Sequence, residues 1–208
     1  NATVDDYYRN ITAALSNQKG FGVKSCLSFI DIDPVVKDKA ITAAIQAKDF
    51  AAMHNIGFKI ACQTLKGILS PTCRRMIEKH LEMGHIDVVG SLPAADISAV
   101  DHLDIIFRLA KKYNKRIHVH VDQLNDSRQK ETELLARKTI LHGWEGKVTA
   151  IHSISLAAQP KYYRERVYSM AKDAGLSFVC CPIAWIDHRR SETMSVTHNA
   201  ITPVDEMI

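Results

Sequence analysis

This sequence predicts an α/β fold with a buried parallel sheet, on three observations. Six short apolar runs alternate with amphipathic stretches at a spacing of roughly 30 residues, the length of one βα repeat. The runs are apolar on both faces, as strands covered on both sides are. Polar residues gather just past the C-terminal ends of successive runs: Asp31 and Asp33, Gln63, His120 and Gln123, His152, and Trp185 with Asp187. No G-x-G-x-x-G or Walker loop is present, which weakens an open nucleotide-binding sheet. A (β/α)8 TIM barrel carries its chemistry at the C-terminal ends of its strands. The expectation is therefore a partial (β/α)8 barrel of about six parallel strands, with the first and last staves missing and residues 1–208 forming a single domain.

Taken in order, Asp5 to Lys19 reads as a helix with Tyr8, Ile11, Thr12 and Leu15 on one face and Gly20 at its end. Phe21 to Ile32 is a strand. Asp33-Pro34 starts a helix that runs to Asn55 and turns Val36, Ile41, Ala44 and Ile45 inward. Phe58 to Gln63 is the next strand, and Ser70-Pro71 opens a helix to Met83 that Gly84 caps. Asp87 to Leu92 is a short apolar strand. Ser98 to Asp101 reads as a capping box for a helix to Tyr113. After the strand through His120, Ser127 starts a helix to Leu141. After the strand through His152, a helix spans about Pro160 to Ala174, and Leu176 to Pro182 is the last strand. A polar loop, Ile183 to Ile201, leads to Thr202-Pro203, a good N-cap and first helical residue. The chain opens without Met and stops about one turn into that helix, so the reading is of a fragment of something longer.

Composition excludes several classes. At 46% hydrophobic and 24% charged, the chain is ordinary for a globular domain. A formal charge of +4, with basic residues scattered among acids, gives no concentrated patch for nucleic acid. No apolar run approaches the roughly 20 residues of a membrane span. The five cysteines show no C-x-x-C spacing, and Cys26, Cys62, Cys180 and Cys181 lie in apolar runs. Free thiols in a reducing compartment, the cytoplasm, follow.

The most informative stretch is Arg116-Ile117-His118-Val119-His120-Val121-Asp122-Gln123. Alternation puts His118, His120 and Asp122 on one face and the aliphatics on the other. Polar groups at the end of a buried strand are costly unless hydrogen-bonded or bound to a metal. Lys147 to His152 also ends on a histidine, so metal-assisted hydrolysis is the leading reading.

At this point the residues resemble the amidohydrolase superfamily, in its cytosine deaminase-like branch. Gly67-Ile68-Leu69-Ser70 follows the third-strand position. Asp87 to Pro93 resembles the fourth strand, His118 to Asp126 the fifth, Lys147 to Ser153 the sixth and Phe178 to Pro182 the seventh. Isopropylammelide amidohydrolases of the same branch look about equally similar. The resemblance implies that His120 binds a catalytic divalent metal and that His152 orients or polarises the attacking water or the substrate. It places the branch's H-x-H pair on strand one, which leaves His118 as a polar residue inside the barrel below the site. Gln63 lies near a third-strand position that contacts substrate, or is an ordinary strand-end residue. Trp185 forms a ring wall over the pocket, or anchors its loop. His188 and His198 read as exposed, and His54, His80, His85, His102 and His142 as helix-terminal or surface residues.

Two departures shape the expectation. The branch has a proton-shuttling glutamate three residues after the fifth-strand histidine, where this chain has Gln123, which neither takes nor gives a proton at neutral pH. Gln123 would instead orient a substrate edge. The fourth strand lacks a lysine among Val88, Val89 and Gly90, so one metal, zinc or iron, is expected rather than a lysine-bridged pair. The strand-one H-x-H and the strand-eight Asp are not in this sequence, so the chain alone should hold metal weakly and catalyse little. The parent would be a hydrolase of non-peptide carbon–nitrogen bonds on a small heterocyclic substrate, possible as a homo-oligomer. Two alternatives stand beside it. One is a non-catalytic barrel relative that binds a small ligand. The other is a different α/β sheet, which would set the His120 and His152 side chains more than about 10 Å apart.

Overall fold

The computed structural model describes residues 2–182 and 201–207. Trp185, Asp187, His188 and His198 lie outside the described residues. Six strands occur in chain order: β1 (Ser25–Asp31), β2 (Gly57–Gln63), β3 (Val88–Ser91), β4 (Arg116–Val121), β5 (Val148–His152) and β6 (Ser177–Val179). Helix α1 (Val4–Gly20) precedes β1. After the successive strands come α2 (Lys39–Met53), α3 (Pro71–Glu82), α4 (Ala99–Lys112), α5 (Glu131–Leu141) and α6 (Lys161–Asp173), and a short α7 spans Val204–Met207. Strands alternating with helices, parallel throughout their described pairings, form the partial (β/α)8 barrel that the sequence predicts. The chain divides into two compact units, 1–91 with 108–116 and 92–107 with 117–208.

In the first unit, β1 pairs with β2 from Ser25↔Gly57 to Asp31↔Gln63, and β2 with β3 at Ala61↔Val88 and Cys62↔Val89. Ile60, Ala61, Cys62 and Val89 are fully buried, as are Ile41, Ala44 and Ala47 of α2. Leu15, Ala51 and Ile56 form a cluster against Ile11, Cys26, Phe50 and Phe58. Thr3 and Asp6 make a reciprocal capping box on α1. Ser70 caps α3, with Pro71 in its first turn.

Helix α2 starts five residues later than the Asp33-Pro34 signal suggests. The Asp33 carboxylate accepts from the Val35 and Val36 N–H groups at 2.7 and 2.9 Å, a turn rather than a cap. Lys37 then takes a left-handed φ of 58°, which interrupts the helix before Asp38. Gly90 is required by space. A Cβ there would stand 2.0 Å from the Cys62 carbonyl oxygen and 2.8 Å from the Phe29 ring.

In the second unit, β4 pairs with β5 from Ile117↔Val148 to Val121↔His152, and β5 with β6 from Thr149↔Ser177 to Ile151↔Val179. Ile117, Val119, Val121, Val148, Ala150, Leu135, Ala136 and Val167 are fully buried. Helix α5 begins at Glu131, not at Ser127; residues 127 and 128 form a turn in which the Asp126 carboxylate accepts from the Arg128 backbone and guanidinium. Glu133 binds Arg137, Arg166 and the Tyr163 hydroxyl, which ties α5 to α6. The Arg166 guanidinium foremost holds the Glu133 carboxyl at about 2.

All five cysteines are free thiols, Cys62 and Cys73 buried among them. No helix among the described residues is long and apolar enough to cross a membrane. His80 and His102 are buried and paired with Asp38 and Asp96, and His142 stacks on Phe107 with ring centroids 4.7 Å apart. All three lie at helix ends, as expected, with His80 and His102 buried there and His142 partly buried.

Two outcomes follow. Gly90→Ala is expected to destabilise the protein by about 3 kcal/mol, because its Cβ meets backbone that cannot rotate away; chemical denaturation measures it. Glu133 has a folded pKa below its unfolded value, so its contribution is whole above roughly pH 4.5 and is lost as pH falls toward about 2. Glu133→Gln is expected to flatten that acid limb of a stability-against-pH curve, and an unchanged slope would refute the assignment.

Candidate active site

The site begins with the alternation along β4. Ile117, Val119 and Val121 are fully buried on one face, while His118 and His120 share the other and are partly buried. Register places His152 beside Val121 and one residue beyond the neighbour of His120. That one-residue offset would put the two side chains on opposite faces of the sheet, but the His152 backbone leaves the strand at φ 77°, outside the conformations most residues adopt. The result is direct contact: His120 Nδ1 lies 3.0 Å from His152 Nε2, with ring centroids 5.2 Å apart. The reading of an unrelated sheet, which needs a separation above about 10 Å, fails on this distance.

Both rings are held unprotonated at neutral pH. Burial foremost, then the charges of His152 and His118, holds His120 at about 4. Burial lowers His152 as well. Each neutral imidazole keeps one nitrogen lone pair, which is the form that binds metal or accepts a proton.

Sequence reading grouped Asp122 with the histidines. The structure turns it to another task. Asp122 has φ 50°, is wholly buried, and its carboxylate accepts from the Glu131 N–H at 2.7 Å and the Thr132 N–H at 3.0 Å. In return, the Asp122 N–H donates to Glu131 Oε2 at 3.0 Å. Its carbonyl accepts from the Ile154 and Ser155 N–H groups, and the Ser153 N–H reaches the Val121 carbonyl. The Thr132 hydroxyl donates to Ser153 Oγ at 3.0 Å. The Thr202 hydroxyl donates to the His152 carbonyl. The ends of β4 and β5 are thus fastened to the start of α5 by buried and part-buried hydrogen bonds. Only the identity of Asp122 was visible in sequence; its partners lie nine and more residues away, beyond any local cap pattern.

Gln123 follows directly and is partly buried. Gln63, in the first unit, ends β2 and donates from Nε2 to Asp31 Oδ1 at 3.0 Å, while its buried Oε1 has no hydrogen-bond partner among the described residues. Burial foremost raises the Asp31 carboxyl. Trp185 lies outside the described residues. Among the described residues no three His, Cys, Asp or Glu side chains gather as a metal cage. His120, neutral and partly buried, has the form in which an imidazole binds a divalent ion, with His152 within hydrogen-bond reach of it.

No protein-family model matches the chain. An uncharacterized protein of Haemophilus influenzae is 41% identical over 211 residues, covering 100% of this chain and 75% of that protein. N-isopropylammelide isopropyl amidohydrolase of a Pseudomonas species is 30% identical over 184 residues, 87% of this chain and 45% of the enzyme. The crystal structure of 5-methylcytosine deaminase from Klebsiella pneumoniae, liganded with phosphonocytosine, superposes with a TM-score of 0.89 at 26% identity. The match covers 99% of this chain and 50% of the deaminase. The chain therefore spans about half the length of both enzymes. These relatives act on carbon–nitrogen bonds of heterocycles, and the barrel repeat and the strand-end segments are common ground with them. On fold and sequence together, the chain is similar to enzymes of the amidohydrolase superfamily, a 5-methylcytosine deaminase and an N-isopropylammelide isopropyl amidohydrolase among them.

Proposed function

We propose that this chain supplies the strand-five and strand-six side of a metal-dependent hydrolase that cleaves a non-peptide carbon–nitrogen bond on a nitrogen heterocycle. The observation that carries the reading is the 3.0 Å contact of His120 with His152 at the ends of paired strands. His120 would hold one divalent metal, zinc or iron. Such an ion, when bound, supplies Lewis acidity that lowers the pKa of a water. His152 would stabilise charge developing on the substrate, in a buried setting where a hydrogen bond is worth more than in water. Gln123 would orient the ring edge through its amide, donating and accepting at once. Gln63 and Trp185 would contact the substrate. Alone, this chain would bind metal weakly, since the branch's other ligands are not among its residues. Free thiols suit a cytoplasmic setting.

The test uses the full-length protein that contains this chain, assayed against cytosine, 5-methylcytosine and N-isopropylammelide. Release of ammonia or of isopropylamine tells deamination from dealkylation. Chelation is expected to abolish turnover and a divalent metal to restore it. His120→Ala is expected to lose bound metal, and His152→Gln to lower kcat by about 10²–10³-fold with metal retained. Metal-free full-length protein that still turns over would refute the proposal.

Gln123 itself favours a second reading, a relative that binds a heterocycle without turning it over. Gln123→Glu separates the two. In a catalyst already using Gln123 to position substrate, the change is expected to alter KM as well as kcat. In a binder it leaves turnover at zero while ligand affinity changes.

A further inference from the structure

Gln123 is carried between two anchored backbone groups. The N–H of Asp122 before it donates to Glu131 Oε2 at 3.0 Å, and the N–H of Leu124 after it donates to Gln129 Oε1 at 2.8 Å. Gln129 is itself held from outside its own loop. Its carbonyl accepts from the Ser155 hydroxyl at 3.1 Å and from Gln159 Nε2 at 3.3 Å, and the same Gln159 amide donates to the Ser127 carbonyl at 2.5 Å. A primary amide has two N–H donors, so Gln159 directs both at backbone carbonyls of one loop. Gln159 is buried, and Ser155 fully so. The place of Gln159 is fixed in turn. Its N–H donates to the Leu156 carbonyl at 3.1 Å, and its carbonyl accepts from Arg164 Nη1 at 2.7 Å, a guanidinium that also bonds Glu206.

We propose that Gln159 is a positioning residue for Gln123, and so sets how tightly the protein holds the polar edge of a nitrogen heterocycle. This rests on the reading of Gln123 as the group that orients the substrate. A side-chain amide reads a ring edge by direction, and a loop that must be ordered when the ligand arrives draws that cost from affinity. The β4–α5 loop is ordered beforehand instead. Within it, the Asp126 and Gln129 N–H groups bond the Leu124 and Asp126 carbonyls, a turn that brings the Gln129 side chain back to Leu124. Gln159 reaches back 32 positions to clamp that turn from the β5–α6 connection. Its side-chain donors serve neither of its flanking elements, which is an unusual use of a buried glutamine unless the neighbouring loop has to stay in place. The connection that begins after His152 thereby fixes the one that carries Gln123, and both groups assigned to the substrate sit on one hydrogen-bonded unit.

The experiment uses the full-length protein that contains this chain. Hydrogen exchange followed by NMR reads the Leu124 amide, and calorimetry reads affinity for cytosine, 5-methylcytosine and N-isopropylammelide. Gln159→Glu keeps the shape of the side chain but removes its donors, since a carboxylate only accepts. It is expected to speed Leu124 exchange and to weaken the heterocycle that binds by about 10-fold, the effect of about one hydrogen bond. Gln129→Met, at a partly exposed position, is expected to do the same without burying a charge. In a Gln123→Ala background neither change is expected to alter affinity further, because the clamp acts through that one side chain. A general loosening of the fold would weaken binding in that background too. Leu124 exchange unchanged in both variants, or a loss of affinity that persists without the Gln123 side chain, would overturn the inference. A wild-type protein that binds none of the three heterocycles would instead refute the functional reading, and Leu124 exchange would still decide the clamp.

Discussion

The reciprocal bond between Asp122 and Glu131 is the constraint on which the candidate site depends. Parallel strands end with unpaired backbone groups, and a helix begins with N–H groups that have no intrahelical partner. Asp122 answers both needs at once. Its carboxylate covers the first N–H groups of α5, its own N–H is covered by the Glu131 carboxylate, and its carbonyl takes the turn after β5. Burial foremost raises both carboxyls. Two acids this deeply placed persist because backbone donors satisfy them, where unpaired burial would cost several kcal/mol.

That clamp explains the unusual backbone beside it. Asp122, His152 and Ser153 all have positive φ without being glycine, at 50°, 77° and 50°. Each such residue costs of order 1–3 kcal/mol and persists only where its surroundings over-determine it. Here the surroundings are explicit: the Thr132–Ser153 hydroxyl bond, the Thr202 bond to the His152 carbonyl, and the amides that converge on Asp122. The strain redirects His152 toward His120. Straight continuation of β5 would have left the two rings on opposite faces of the sheet.

Much of the fold was legible because its signals are periodic or local. Apolar runs and their spacing located all six strands, and Ser70-Pro71 and Gly84 bounded α3 where expected. Helix starts at 34 and 127 were misplaced for one reason. Asp33 and Asp126 bond backbone two or three residues on, which reads as a cap in sequence but folds as a turn. The helices then begin where the chain is free to continue, after Lys37 and at the distant Asp122 cap. His120 and His152 were legible as strand-end residues. Their contact was not, since it depends on register and on a left-handed residue that sequence does not announce. Likewise His80 read as a helix-terminal or surface residue; its burial against Asp38, 42 positions earlier, is not in the local pattern.

Two histidine pairs, His120 with His152 and His80 with His85, show how one separation is reached by different backbone devices. At 3.0 and 3.1 Å the nitrogens are equally close. The first pair is made by neighbouring strands, so each ring is carried by a separate element and the distance responds to anything that shifts β4 against β5. The second is made within one helix end, six residues closed by two backbone bonds, and does not depend on sheet register. Burial lowers both members of the first pair, which keeps each ring in its neutral form at pH 7. The second has Asp38 bonded behind it, which commits the His80 tautomer.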